Sequence, residues 1–215
     1  MKTVNLWKQN LGTVPDEVWQ YTDVRVLILA DNGLTKLSPQ IGNLHNIRTL
    51  DLGHNELTQI PHELGDLADL SDFLYLHDNQ LDSLPSSLGQ LRKLHYLNIS
   101  ENRFTTFPAC VCSMSNLVEL RATDNKLADL PDSIGNLSKL RELHLRNNAL
   151  RGLPTAIVNL SELRQLDLRG NPLEALPDEL STLPKLEKLD LRWVGTLKPP
   201  PWFEALEARG CLIYT

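Results

Sequence analysis

Three arginines recur at intervals of 23 residues, Arg146, Arg169 and Arg192, and two aspartates, Asp167 and Asp190, are separated by the same interval. Arginine forks favour recognition of carboxylate or phosphate groups, whereas paired carboxylates can act as a general acid and a general base. The neighbouring guanidinium groups are expected to keep both aspartates ionised, which removes the pKa difference that acid–base catalysis requires. The alternative interpretation of this charged set is a self-compensating series of cross-strand ion pairs on a solvated sheet.

A second group of candidates is aromatic and lies near the centre of the chain: Phe73, Tyr75, His77 and Tyr96. Exposed aromatic side chains on a rigid platform are the usual anchors of protein interfaces. Phe73 belongs to a segment with one extra residue, which either bulges a strand or lengthens the loop before it. In the alternative interpretation, Phe73 folds into the core.

Other reactive side chains have less support from their spacing. His54, His77 and Asp78 could contact a metal ion, but they do not follow a ligand pattern such as H-E-x-x-H. Cys110 and Cys112 have no histidine partner of the kind found in a zinc knuckle. We therefore predict no catalytic residue, no metal site and no cofactor.

These candidates are positioned by an internal repeat, which is marked by asparagines at steps of 23, 24, 23, 23, 23 and 23 residues. The asparagines are Asn32, Asn55, Asn79, Asn102, Asn125, Asn148 and Asn171. The unit reads L-x-x-L-x-L-x-x-N-x-L-x-x-L-P-x-x-I/L-G-x-L-x-x, and full copies run from residue 24 to residue 185. The alternation L-x-L predicts a short strand with one buried face, and the segment after proline predicts one helical or 3₁₀ turn.

The asparagine has a structural interpretation. A sharp bend between strand and turn leaves backbone N–H and C=O groups inside the stack. An amide side chain can both donate and accept, so we predict a buried ladder that serves the copies on either side. The strand residues between the core leucines then form columns on the exposed face, which hold the charged and aromatic candidates.

This repeat resembles that of leucine-rich repeat proteins, over residues 1–197. Its L-P-x-x-I-G-x-L form is similar to intracellular Ras-suppressor-type and plant Ras-group proteins and to bacterial members. The resemblance implies an α/β fold, a right-handed solenoid with a concave parallel sheet and short convex turns. It also implies non-catalytic recognition of a protein partner on the concave face. We expect the partner-binding residues to be Phe73, Tyr75, His77, Tyr96, Arg121, His144, Arg146, Arg169 and Arg192.

Two alternatives to a free-standing scaffold remain open. The chain could be the substrate-recognition portion of a larger enzyme or effector, of the ubiquitin-ligase type or associated with a kinase. It could also be a structural module that associates with itself. Fold-level analogy does not identify the partner.

The repeat fades after residue 185, and we predict a C-terminal cap over residues 198–215. This cap would contain a helix at about 202–209 and a short final strand. Its buried side would consist of Trp202, Phe203, Leu206, Leu212 and Ile213. The alternative is a hydrophobic tail that binds a partner.

Composition limits the remaining classes of function. Leucine accounts for 45 of the 215 residues, so the core is aliphatic. The net charge of −6 and the pI near 5.5 argue against binding of nucleic acid. An odd number of cysteines, the lack of a signal-peptide pattern and the lack of a long apolar run lead us to expect a cytoplasmic protein without membrane insertion. We also expect a monomer.

Overall fold

The computed structural model describes residues 2–195 and 197–215, and its framework is one parallel sheet of ten short strands. The strands pair in the order in which they occur along the chain. They are β1 Lys2–Asn5, β2 Val24–Ile28, β3 Thr49–Asp51, β4 Phe73–Tyr75, β5 Tyr96–Asn98, β6 Glu119–Arg121, β7 Glu142–His144, β8 Gln165–Asp167, β9 Lys188–Asp190 and β10 Leu212–Tyr214. This arrangement confirms the expected solenoid, in which each unit packs against its neighbours in sequence.

Short 3₁₀ helices return the chain from one strand to the next. Within the described residues they are Asp16–Gln20, Pro39–Asn43, His62–Asp66, Ser86–Gln90, Ala109–Ser113, Asp132–Asn136, Thr155–Asn159 and Asp178–Thr182. A proline precedes most of them, and its carbonyl accepts the first hydrogen bond, as from Leu64 N to Pro61 O at 3.2 Å. Where the proline is shifted to position 39, Ser38 becomes the cap and its Oγ accepts from Gln40 N.

The core is a continuous stack of aliphatic side chains that runs through all the units. In the three-residue strands β3 to β9 the central residue points inward and its two neighbours lie on the other face, as at Phe73-Leu74-Tyr75, where Leu74 is fully buried. Burying one leucine contributes roughly 1.5–3 kcal/mol. A single unit cannot bury its own leucines, so stability depends on the stacking of units.

The asparagines form a buried hydrogen-bonded ladder beside this core. Asn55 is typical: its Nδ2 donates to Leu52 O within its own unit and to Leu29 O in the preceding unit. Its Oδ1 accepts from Asn32 N and Leu34 N, which also belong to the preceding unit. Each side chain therefore serves its own unit and the one before it. The prediction that it serves the copies on both sides is wrong on this point, because the side chain bends back toward the N-terminal neighbour.

The C-terminal segment adds helix α1, Phe203–Ala208, and the last strand, β10. Trp202, Phe203 and Leu206 are buried, and the Trp202 ring N–H donates to Asp178 Oδ1 at 3.0 Å. The prediction that Leu212 is buried is wrong, since its side chain is 59% exposed.

The exposure of Leu212 follows from the register of β10. Ile213 pairs with the buried Leu189, so the residues beside Ile213 fall on the solvated face. Cys211, just before the strand, is buried instead. Among the described residues, no helix combines the length and apolar character needed to cross a bilayer.

Candidate functional site

The outward-facing strand residues form regular columns because neighbouring strands pair without slippage from β2 to β10. Phe73 pairs with Tyr96, and Tyr75 with Asn98. Arg121 pairs with His144 one strand later. We call the solvated side of the sheet the sheet face. All nine predicted partner-binding residues lie on its columns or on their continuation past the strand ends.

Phe73, Tyr75, His77 and Tyr96 meet on this face, and we call them the aromatic cluster. The Phe73 and Tyr75 rings stack nearly parallel, 5.9 Å apart, and the Tyr96 ring lies 5.4 Å from Phe73 and 5.1 Å from Tyr75. His77 contacts Tyr75 edge-on at 6.0 Å. Phe73 is 42% exposed, so it does not fold into the core. Burial within the cluster raises the pKa of Tyr96 to about 12 and also raises that of Tyr75.

The extra residue of this unit lies ahead of strand β4 and not within it. The pairing from Thr49–Phe73 to Asp51–Tyr75 is uninterrupted. The extra residue is accommodated just before the strand, where Ser71 is buried and its carbonyl oxygen accepts a hydrogen bond from His95 N. Of the two possibilities left open by the sequence, the longer loop is therefore the one observed.

His54, at the edge of the aromatic cluster, connects His77 to an acidic side chain. The Nε2 atoms of His54 and His77 are 3.2 Å apart, and the two rings meet edge-on at 4.6 Å. His54 Nδ1 contacts Asp78 Oδ2 at 2.7 Å. Burial lowers the pKa of His77, and the neighbouring His54 lowers it further. Gly53 leaves room for this arrangement, because an added Cβ would lie 2.4 Å from His77 Cε1.

The C-terminal half of the sheet face carries alternating charges, which we call the charged ladder. Arg169 binds Asp167 through two hydrogen bonds of 2.8 and 2.6 Å, and Arg192 binds Asp190 through two of 2.9 and 2.7 Å. Bidentate pairs of this kind are the strong form of arginine–carboxylate contact. They explain why the two aspartates remain charged despite their burial.

Both aspartates have depressed pKa values. Burial alone would raise the pKa of Asp167, but hydrogen bonds from Arg169 and His144 outweigh it and hold the pKa well below its usual range. The pKa of Asp190 is lowered in the same way, with Arg192 opposing the effect of burial. An acid–base pair needs one carboxyl group that retains its proton near neutral pH, and the depressed values do not fit that role.

Arg146 differs from Arg169 and Arg192, because among the described residues its ion pair is with a carboxylate other than Asp167 or Asp190. Its Nη2 donates to Asp124 Oδ2 at 2.9 Å. Arg121 is engaged as well, since its Nε donates to Glu119 Oε1 at 2.5 Å. The four arginines Arg121, Arg146, Arg169 and Arg192 thus face four carboxylates, and an anionic ligand would have to compete with these pairs.

The charged ladder surrounds a depression of about 240 Å³. It is lined by Arg121, Thr123, His144, Arg146, Gln165, Leu166, Asp167, Arg169, Lys188 and Asp190. Next to it, ligand atoms of Glu119, Glu142 and His144 lie within 4.8 Å of one another, which makes this group a possible metal-binding cluster among the described residues. His144 Nε2 contacts Glu142 Oε2 at 3.1 Å.

Sequence reasoning did not identify Asp124 or Glu119 as partners of the arginines. The residues that directly precede the ladder asparagines form another column of the repeat. Asp124 belongs to this column. This residue adopts left-handed backbone angles in nearly every unit, including His54 at φ 52° and Asp78 at φ 49°. Its side chain therefore leaves the chain at the rim of the sheet face. The column contains His54 and Asp78, which the sequence analysis considered, and it would also have placed Asp124 beside the predicted site.

Comparison with known proteins agrees with this geometry. A model described as "Leucine rich repeat" matches residues 22–81 and 138–193, and one described as "Leucine-rich repeat region" matches residues 72–148. No curated protein sequence matches the chain.

Several solved structures have a similar fold. A leucine-rich repeat protein of Leptospira interrogans is 29% identical with a TM-score of 0.54, over 94% of this chain and 63% of that one. The ectodomain of the Arabidopsis thaliana membrane receptor kinase GASSHO1/SCHENGEN3, solved in complex with CASPARIAN STRIP INTEGRITY FACTOR 2, is 31% identical with a TM-score of 0.77, over 89% and 24%. A TDR receptor is 27% identical with a TM-score of 0.72, over 81% and 32%. The chain thus spans less than two thirds of each of these proteins.

Proposed function

This chain belongs to the leucine-rich repeat family, and from that premise we propose that it is a non-catalytic scaffold that binds a protein partner on the concave face of its sheet. Domains of this family commonly serve as protein-interaction modules. The proposal for this chain rests on its own side chains and on the rigidity of the sheet that carries them.

The aromatic cluster is the observation that supports the proposal most directly. Three aromatic rings pack together on an open sheet, and the most exposed, Phe73, leaves 42% of its surface in water. Large rings in fixed orientations lose little conformational entropy on binding, which is why they anchor interfaces. We infer that Phe73, Tyr75, His77 and Tyr96 form the anchor.

The charged ladder would then supply selectivity. Arg121, His144, Arg146, Arg169 and Arg192 alternate with carboxylates on one face. Such an arrangement suits a partner with a complementary alternation of charges, because paired ions can exchange partners without leaving a buried charge alone. Electrostatic complementarity of this kind affects specificity and association rate more than affinity.

The proposal is tested with the double variant Tyr75→Ala/Tyr96→Ala and a matched control on the opposite side, Gln40→Ala/Gln90→Ala. The control residues are exposed in the 3₁₀ helices. Partners are captured on the immobilised full chain from a lysate of the organism that encodes it, identified, and then titrated individually in purified form.

We expect the aromatic double variant to weaken binding of the purified partner by at least about 30-fold, because even a single hot-spot ring contributes about 2 kcal/mol. Its melting temperature should change little, since cross-strand ring pairs contribute only about 0.2–1 kcal/mol each. The control should bind like the wild type. Undiminished binding by the aromatic variant would refute the proposed anchor.

A second candidate function is favoured by the lengths of the related proteins. The chain spans 63%, 24% and 32% of the three structures described above. The same surface could therefore be the substrate-recognition portion of a larger enzyme or effector, either of the ubiquitin-ligase type or associated with a kinase. Sequencing the transcript on both sides of the segment distinguishes the candidates, because a continuing reading frame with a catalytic domain would favour the second.

We further propose a cytoplasmic monomer that acts in signal transduction. Its three cysteines are free thiols; Cys112 and Cys211 are buried and Cys110 is partly buried. Free thiols are typical of reducing compartments. Sedimentation equilibrium tests the monomer, and a mass that rises with concentration would contradict it.

A further inference from the structure

We propose that His54 and His77 form a binding site for a divalent transition-metal ion of the Zn²⁺ or Ni²⁺ class, at the rim of the sheet face. Their Nε2 atoms are 3.2 Å apart. Two nitrogen ligands of one tetrahedral zinc ion, each about 2.0–2.1 Å from the metal, are separated by about 3.3 Å. The two imidazoles thus already have the spacing that a shared metal ion requires.

Asp78 orients the first of these ligands. Its Oδ2 lies 2.7 Å from His54 Nδ1, so the ring proton of neutral His54 is held on Nδ1. This leaves the lone pair of His54 on Nε2, the atom that faces His77. A carboxylate behind a ligating histidine is the usual outer-shell partner in metal sites, where it determines both the tautomer and the ring orientation.

Gly53 orients the second ligand. The His77 ring lies directly over this glycine, and an added Cβ at position 53 would be 2.4 Å from Cε1 and 2.8 Å from Nδ1. The repeat does not require glycine there, since the equivalent positions in other units include Ala30 and Ser100. The absence of a side chain at position 53 is what allows His77 to turn toward His54.

The surroundings favour a cation. The carboxylates of Asp51, Asp78 and Glu101 all act electrostatically on His77. Imidazole nitrogen is a preferred ligand of zinc, copper and nickel. Water or a side chain of a bound partner would fill the remaining positions.

The cluster of Glu119, Glu142 and His144 is the natural competitor and provides an internal comparison. It offers three ligand atoms, but the guanidinium group of Arg121 already occupies Glu119 at 2.5 Å. A metal ion there would have to displace Arg121 or lie beside its positive charge. In contrast, Asp78 is paired with His54, and in the part of the chain that the structure describes it forms no ion pair with an arginine or lysine.

The test is calorimetric titration of the tag-free full chain with ZnCl₂ and, separately, NiCl₂. We expect one ion per chain. His54→Asn, chosen because asparagine tolerates the left-handed backbone at this position, and His77→Ala should each weaken binding by at least about tenfold, since each removes one of two ligands. Asp78→Asn should weaken binding by about 10–100-fold through the outer shell.

Two further variants make the result decisive. Gly53→Ala retains both imidazoles but displaces the His77 ring, so it should also weaken binding by about tenfold or more. His144→Ala removes the competing cluster and should bind like the wild type. Wild-type affinity in His54→Asn and His77→Ala, or loss of binding in His144→Ala alone, would overturn the assignment. Circular dichroism melts of all variants establish that each is folded.

Discussion

Replacing Asn102 with alanine should show how much one rung of the asparagine ladder stabilises the solenoid. Asn102 is 8% exposed, and its Nδ2 donates to three carbonyl oxygens at 2.9–3.2 Å, those of Leu76, Ile99 and Ser100. Its Oδ1 accepts from Leu81 N at 2.9 Å. Truncation removes all four hydrogen bonds at once.

The carbonyl oxygens that Asn102 contacts lose less hydrogen bonding than the Leu81 N–H group does. Leu76 O still accepts from Asn79, and Ile99 O still accepts from Asn125. The Leu81 N–H, in contrast, loses its acceptor inside the stack. A buried donor without a partner costs about 1–3 kcal/mol. With the weakened carbonyl contacts, we expect Asn102→Ala to lower the free energy of unfolding by roughly 2–4 kcal/mol.

Thermal and urea unfolding, followed by circular dichroism, measure this change. For a chain of this size the melting temperature should fall by roughly 4–16 °C. The isosteric Asn102→Asp should be at least as destabilising as alanine at neutral pH, because it keeps the acceptor but directs a charge at three carbonyl oxygens. Asn43→Ala, an exposed asparagine in a 3₁₀ helix, serves as the control and should stay within about 0.5 kcal/mol. If Asn102→Asp were tolerated, hydrogen bonding would not be the reason for the asparagine.

The remaining predictions concern packing, acid stability and thiol reactivity. Gly65→Ala should destabilise the protein by about 1–3 kcal/mol, because its Cβ would lie 2.5 Å from a backbone carbonyl oxygen, whereas Gly152→Ala, with only a 3.6 Å contact, should be nearly neutral in the same urea titration. The folded-state pKa of Asp167 is depressed, so its pairing with Arg169 stabilises the protein above the unfolded value of about 3.9 and that contribution is lost as the pH falls below it. Asp167→Asn should therefore flatten the fall in urea midpoint below about pH 4, and an unchanged slope would contradict the assignment. Burial raises the pKa of Cys110 to about 11, so at about pH 8 the native thiol should react with a disulfide reagent much more slowly than the urea-unfolded chain; equal rates would show that it is accessible as thiolate.

Most of the fold could be predicted from the repeat alone. A fixed period means that residues 23 apart along the chain become neighbours in space. The positions of the strands and the columns of the sheet face can therefore be predicted from the repeat period. The pairings of Phe73 with Tyr96 and of Arg121 with His144 illustrate this result. The C-terminal segment was less predictable, because it has no repeat by which to place Leu212.

The interactions of individual side chains could not be read from the columns. Arg146 can reach carboxylates on two sides, and the structure pairs it with Asp124. Phe73 could have turned inward, but the extra residue is accommodated at Ser71, before the strand. The alternation of inward and outward side chains in β4 is therefore preserved. Competing contacts of this kind differ by about 1 kcal/mol or less, which a sequence pattern cannot resolve.

The sequence by itself therefore determined the architecture, the buried asparagines and the set of side chains on the sheet face, because burial of leucine at a constant period dominates the energy of the stack. Only the tertiary structure decided which of those side chains meet. His54 and His77 come within 3.2 Å because position 54 adopts a left-handed backbone and position 53 lacks a side chain. These local backbone and packing conditions act across two adjacent units, so they become visible only once the units are stacked.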